Sequence, residues 1–161
     1  MRKIYLDKTL GLHYHVPVRI VDQKFYSTHY FGKWVESLTP FFNKIVLVCY
    51  ESEDPTLNYQ ISSKKVSVIS LGEKPSGIFT RVINFIKKRE QLCKKLNMID
   101  MIGIRAPTPL AVPLLFFVRN KDCFLLLVGN MWRINQYSDR VWWKKFLIFV
   151  YWYCDHFLLS L

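Results

Sequence analysis

The sequence predicts an α/β domain built on a mostly parallel sheet, and two stretches carry that expectation. The first is Leu96–Asn130, where the apolar runs Met98–Ile104 and Cys123–Val128 are nearly continuous rather than alternating. Such runs mark strands covered on both faces of a parallel sheet. Between them lie Arg105-Ala-Pro-Thr-Pro109 and a short helical stretch. Strand, tight loop, helix and strand in that order make a crossover unit whose two strands run the same way. The polar tips Arg105, Thr108 and Asn130 then share one carboxyl edge, where open α/β sheets bind ligands. The second stretch, Lys44–Tyr50 (KIVLVCY), is the clearest single strand in the chain.

Composition narrows the class. At 161 residues and 51% hydrophobic, the chain fits one globular domain with a real core and is not of disordered composition. The formal net charge is +11, from 23 Lys+Arg against 12 Asp+Glu. That excess attracts an anionic partner: a membrane surface, a nucleic acid or a phosphorylated substrate. Nucleic acid is the least favoured of the three, because no helix-turn-helix, RNP-type or zinc pattern accompanies the charge. Cys49, Cys93, Cys123 and Cys154 stand far apart in apolar surroundings and read as buried free thiols, which suits a reducing cytoplasm. The start, MRKIYLDK, has no apolar h-region. The longest apolar runs, Leu110–Val118 and Phe146–Cys154, fall short of the ~20 residues that span a bilayer. The expected location is therefore cytoplasmic, with any membrane role peripheral on the inner leaflet.

Taken in order, Lys3–Leu6 reads as a short first strand and Asp7 to Lys24 as a long loop. The loop holds His13-Tyr14-His15; an H-x-H pair can begin a metal site, but no third ligand is evident nearby, so no metal is expected. Tyr26-Ser-Thr-His29 opens a helix, with Ser27 or Thr28 as N-cap and Tyr30, Phe31, Trp34, Val35 and Leu38 at helical spacing. The free amides of that first turn would suit an anion or hydroxyl group. Tyr59–Ile61 and Lys65–Leu71 look like a pair of short strands. One long amphipathic helix is expected from Ile78 to Leu96, with the apolar stripe Phe79, Val82, Ile83, Ile86, Leu92, Cys93 and Leu96. Its opposite face is basic, through Arg81, Lys87, Lys88, Arg89, Lys94 and Lys95. These cations would either face solvent on a packing helix or draw the chain to anionic lipid, at about 1 kcal/mol per charge. A polar-aromatic loop, Met131–Asp139, leads to an almost wholly apolar helix, Arg140–Ser160, with Lys144 and Lys145 near its start. That helix must pack on the sheet, a partner or an interface.

The order of elements, with Tyr26-Ser-Thr-His-Tyr-Phe-Gly32 after the first strand, R-A-P-T-P-L-A-V-P-L-L from Arg105 and LLLVGNMW before Arg133, resembles the N-terminal, acceptor-side domain of GT-B glycosyltransferases of the subfamily-4-like group. The usual Gly-Gly pair of the first loop is absent. The resemblance implies a Rossmann-like three-layer α/β/α domain. It further implies that the donor nucleotide-sugar binds a second domain that these residues do not supply: Glu73 and Glu90 are not in Glu-x7-Glu spacing, and there is no G-x-G-x-x-G or P-loop. The chain is then half of a two-chain enzyme or a truncated one, inactive alone, with no cofactor of its own and a donor-domain chain as partner. Acceptor-binding candidates are Ser27, Thr28, His29, Arg105, Thr108, Asn130 and Trp132. Arg105 would fork onto a phosphate of a sugar or lipid-linked acceptor, Trp132 would stack on a sugar face, and His29 could act as acid or base. The alternative is a non-catalytic scaffold that brings a partner to an anionic membrane surface through its basic, aromatic exterior.

Overall fold

The computed structural model describes residues 5–127 apart from Pro107 and Arg119. Five parallel strands form the central sheet: β1 (Tyr5–His13), β4 (Phe42–Glu51), β6 (Val66–Glu73), β7 (Met101–Ala106) and β8 (Asp122–Leu127). Their order across the sheet is β6-β4-β1-β7-β8. The domain is α/β on a parallel sheet, as expected, and β7 and β8 are parallel with helix α4 (Ala111–Phe117) between them. Pro113 is tolerated there because it sits in the first turn, where its missing N–H would have had no partner.

The residues of β4 explain its continuous apolar run. Ile45, Leu47 and Cys49 enter one core cluster, with Leu10, Leu12, Phe31 and Val35; Val46, Val48 and Tyr50 enter the other, with Phe85, Leu92, Ile102, Ile104 and Leu114. The first cluster is closed by α1 (His29–Leu38), the second by α2 (Ile78–Lys87), α3 (Arg89–Leu96) and α4. A strand between two apolar layers has no polar face to alternate with.

Several expectations are corrected. The first strand is nine residues long and occupies the middle of the sheet, so Asp7–His13 is strand and not loop. Its first half is mostly exposed, which hid it; the buried part is Leu10–His13, where Gly11 lets Ile99 approach to 2.8 Å from where a Cβ would stand. The remainder of the presumed loop holds a hairpin, β2 (Arg19–Val21) and β3 (Lys24–Ser27), which joins β5 (Tyr59–Ile61) in a separate antiparallel sheet. β5 and β6 therefore do not pair with each other. The hairpin turns on Asp22 and Gln23, both at positive φ (48° and 61°), the geometry of a two-residue type I′ turn.

The expected long helix is two. The chain leaves helical geometry at Lys88 (ψ 6°), whose amine donates to the Leu71 carbonyl at 3.2 Å. No Gly or Pro announces that break. The stripe is also displaced: Phe85, Leu92 and Leu96 are buried, whereas Phe79, Ile83 and Ile86 are exposed. Finally, β8 is half-exposed rather than covered on both faces. Among the described residues only Cys49 is a buried thiol; Cys93 is half-buried and Cys123 exposed. Burial, helped by nearby Glu51, pushes the Cys49 thiol far up. Cys154 and the expected helix Arg140–Ser160 lie outside the described residues.

The small sheet is locked to α1. Gly32 leaves room for the Tyr59 ring, which lies 2.3 Å from where a Cβ would be. Tyr59 then donates its hydroxyl to Glu36 at 2.7 Å, and the Ser62 amide donates to the same carboxylate at 2.7 Å. Partial burial would raise the Glu36 carboxyl, but these bonds outweigh it and hold it below its ordinary value.

Candidate functional site

All five strands of the parallel sheet end at one edge, and β1 and β7 are neighbours there. The strand order reverses direction in sequence between these two: the chain adds β4 and β6 on one side, then β7 and β8 on the other. A crevice opens at such a reversal because the connections leave on opposite sides. The residues just past the end of β1 and at the end of β7 are thus the site the topology provides.

Its floor is His13, the last residue of β1 and 2% exposed. His13 Nδ1 lies 2.7 Å from the Val48 carbonyl oxygen and Nε2 lies 3.2 Å from Thr108 Oγ1. A carbonyl can only accept, so Nδ1 carries the proton and Nε2 accepts from the threonine hydroxyl. The Leu110 amide approaches the same hydroxyl at 3.4 Å. The imidazole thus ties the ends of β1 and β4 to the loop after β7. Burial pushes its pKa down to about 4 against the opposing pull of the Val48 carbonyl, so it is neutral at pH 7. Both its nitrogens are engaged, which leaves nothing for a metal. Among the described residues no group of three or more His, Cys, Asp or Glu could hold one.

Above this floor stand Tyr14, His15 and Arg105. The Arg105 guanidinium lies over the Tyr14 ring, 4.6 Å from its centroid, and its Nη1 donates to His15 Nε2 at 2.6 Å. Tyr14 in turn stacks on Phe31 (4.7 Å between centroids) and leans on Trp34 (5.7 Å). The first turns of α1 therefore buttress the arginine through one aromatic ring. The contacts of Arg105 are an aromatic face and a neutral nitrogen, and no carboxylate pairs with it among the described residues. Most of its five N–H donors stay available to a ligand.

The candidates from sequence separate into groups. Arg105 and Thr108 are brought together at the edge, with Thr108 nearly buried and turned to His13. Ser27 is not at the helix start: it ends β3, is fully buried, and donates to the Pro17 carbonyl at 3.3 Å. Thr28 holds the N-cap position without a side-chain cap bond. His29, the first residue of α1, is exposed and stands edge-on to Tyr59 of the small sheet at 4.9 Å, not in the Arg105 cluster. Asn130, Trp132, Lys144 and Lys145 lie outside the described residues. The sequence reading set His13 and His15 aside as an H-x-H pair without a third ligand and gave Tyr14 no role. The signal that could have found them is the Leu10-Gly-Leu12 alternation, which puts His13 at a strand end.

A concavity of about 340 Å³ lies at the carboxyl ends of β4 and β6, lined by Pro17, Glu51, Ser52, Glu53, Glu73 and Lys74. Its three carboxylates repel an anion and accept bonds from hydroxyls, so it differs in chemistry from the Arg105 cluster. Among the described residues no helix is long and apolar enough to cross a membrane. No family model, curated protein or solved structure matches the chain.

Proposed function

We propose that this chain is the acceptor-side half of a glycosyltransferase of polysaccharide or glycolipid synthesis, a Rossmann-like three-layer domain serving as the N-terminal part of a GT-B fold. The observation that carries the reading is Arg105: a guanidinium held on an aromatic face at the strand-order reversal, with no acidic partner among the described residues. An arginine so placed forks onto a phosphate oxygen pair, as in a sugar phosphate or a lipid-linked acceptor. His13 and Thr108 hold the loop behind it, and the carboxylates of Glu51 and Glu73 offer acceptors to sugar hydroxyls along the same edge.

In this reading the donor nucleotide-sugar and the anomeric chemistry belong to a second domain, carried elsewhere in the protein or on a partner chain. Catalysis comes from orientation and charge placement across the cleft, this half fixing the acceptor. Two measurements test it. Titration with short-chain glycosyl phosphates should show binding that Arg105→Met abolishes, while the uncharged sugar binds neither protein. Sugar transfer should appear only when a donor-binding domain is added. Turnover of nucleotide-sugar by this chain alone, or phosphate binding indifferent to Arg105, contradicts the assignment.

A further inference from the structure

Independent of that reading is the outward flank of α2. A ten-residue helix has one side for the core, and α2 uses it: Phe85 is 3% exposed and packs against Phe117 of α4, ring centroids 5.2 Å apart. Yet Phe79, Ile83 and Ile86 are exposed at 67%, 50% and 48%. Spaced three and four apart, they lie on one stripe, roughly a quarter-turn or more from Phe85 at 100° per residue. On the same side of the sheet α4 exposes Phe116 at 68%. Large aromatic and branched residues grouped in this way mark a surface made for another phase or partner.

The charges beside the stripe say which. Lys87 follows Ile86 directly, and Arg89, Lys94 and Lys95 on α3 are all exposed, with Glu90 as the one acid in that helix. Of the neighbouring cations, Arg81 donates to the Pro75 carbonyl and Lys88 to the Leu71 carbonyl, so those two serve the fold. The remaining four have no ion-pair partner among the described residues. An apolar stripe bordered by unpaired cations is complementary to a surface that is anionic outside and hydrocarbon beneath.

We propose that α2 lies in the headgroup plane of an anionic lipid bilayer, with Phe79, Ile83 and Ile86 inserted and Lys87, Arg89, Lys94 and Lys95 against the lipid phosphates. This inverts the assignment by sequence, which gave those three apolar residues to the core. Insertion of the stripe supplies affinity in proportion to the apolar area removed from water, and the cations supply the lipid selectivity.

Vesicle flotation of the full chain tests this, using phosphatidylcholine with and without phosphatidylglycerol at low and high salt. The wild type should float with the anionic vesicles, weaken with salt, and ignore neutral ones. Phe79→Ser with Ile83→Ser should weaken binding about tenfold or more and leave the melting temperature in buffer unchanged. Lys87→Gln and Arg89→Gln should each weaken it about fivefold. The serine pair should still bind short-chain glycosyl phosphates as the wild type does, so that loss of the acceptor site and loss of this surface are told apart. The proposal is overturned if the wild type ignores anionic vesicles or binds neutral ones equally, or if the serine pair binds undiminished. It is equally overturned if that pair lowers the melting temperature or abolishes a self-association of the chain, since the stripe would then be covered by protein.

Discussion

The two edges of the central sheet are finished differently. At the amino edge, side chains gather loose backbone. The Lys65 amine donates to the Thr39 and Phe42 carbonyls at 3.1 Å each, and the Lys121 amine donates to the Asn97 carbonyl at 3.1 Å and to that of Ile99. The Asp100 carboxylate accepts the Thr9 amide at 2.7 Å and its own amide returns to the Thr9 carbonyl at 3.0 Å. At the carboxyl ends of β1 and β7 the floor is closed in this way, through His13. Above it Arg105 rests on a ring and an imidazole. An amine shared between two carbonyls has few bonds left to offer, whereas a guanidinium on an aromatic face keeps most of its own. The amino edge spends its charge on the fold, and the β1–β7 end of the other holds Arg105 ready.

That contrast can be broken most directly at His13. His13→Ala removes the buried donor to the Val48 carbonyl and opens a cavity, so it should cost about 3 kcal/mol in urea unfolding. The same residue sets a pH dependence. Its folded pKa is pushed down to about 4 by burial, below the unfolded value of 6.5. Between these the unfolded chain binds the extra proton, so the stabilisation is complete above pH 6.5 and is lost as pH falls towards 4, by roughly 3 kcal/mol in all. His13→Asn keeps a donor for Val48 and should flatten that part of the urea midpoint against pH; an unchanged slope would mean other groups govern it.

Arg105→Met sharpens the comparison from the other side. It should change unfolding free energy by no more than about 0.5 kcal/mol, the worth of an exposed cation–π contact, while lowering affinity for glycosyl phosphates at least about tenfold. Asp100→Ala, at the closed edge, should do the reverse: about 1 kcal/mol lost in stability with phosphate affinity untouched. If both variants moved stability alone, the two edges would be equivalent. Gln23→Gly, in the hairpin turn and at neither edge, calibrates the scale. It relieves a positive φ and should raise stability by about 0.5 kcal/mol in thermal unfolding, with binding unaltered.

How much could be read beforehand depended on how each residue's surroundings resemble its neighbours in sequence. β4 was plain because both its faces meet apolar layers. β1 was hidden because only Leu10–His13 is buried and one of those four is glycine. The helix pair misled because α2 carries apolar residues on two sides, and hydropathy cannot tell the side that faces Phe117 from the side that faces outward. At the site, Arg105 and Thr108 were legible from a strand that stops in Arg-Ala-Pro-Thr-Pro. Tyr14 and His15 were not, since they join Arg105 only across ninety residues of chain.

The sequence by itself determined the α/β class, the parallel β7-α4-β8 unit and the basic balance, because these follow from local periodicity and from charge summed along the chain. Tertiary structure decided the rest. It placed β1 in the middle of the sheet, put His13 under the loop that carries Thr108, laid Arg105 on Tyr14, and turned Phe79, Ile83 and Ile86 outward. The physical reason is the same in each case. A side chain's hydration and charge state depend on what the folded chain brings against it, and those neighbours come from distant sequence.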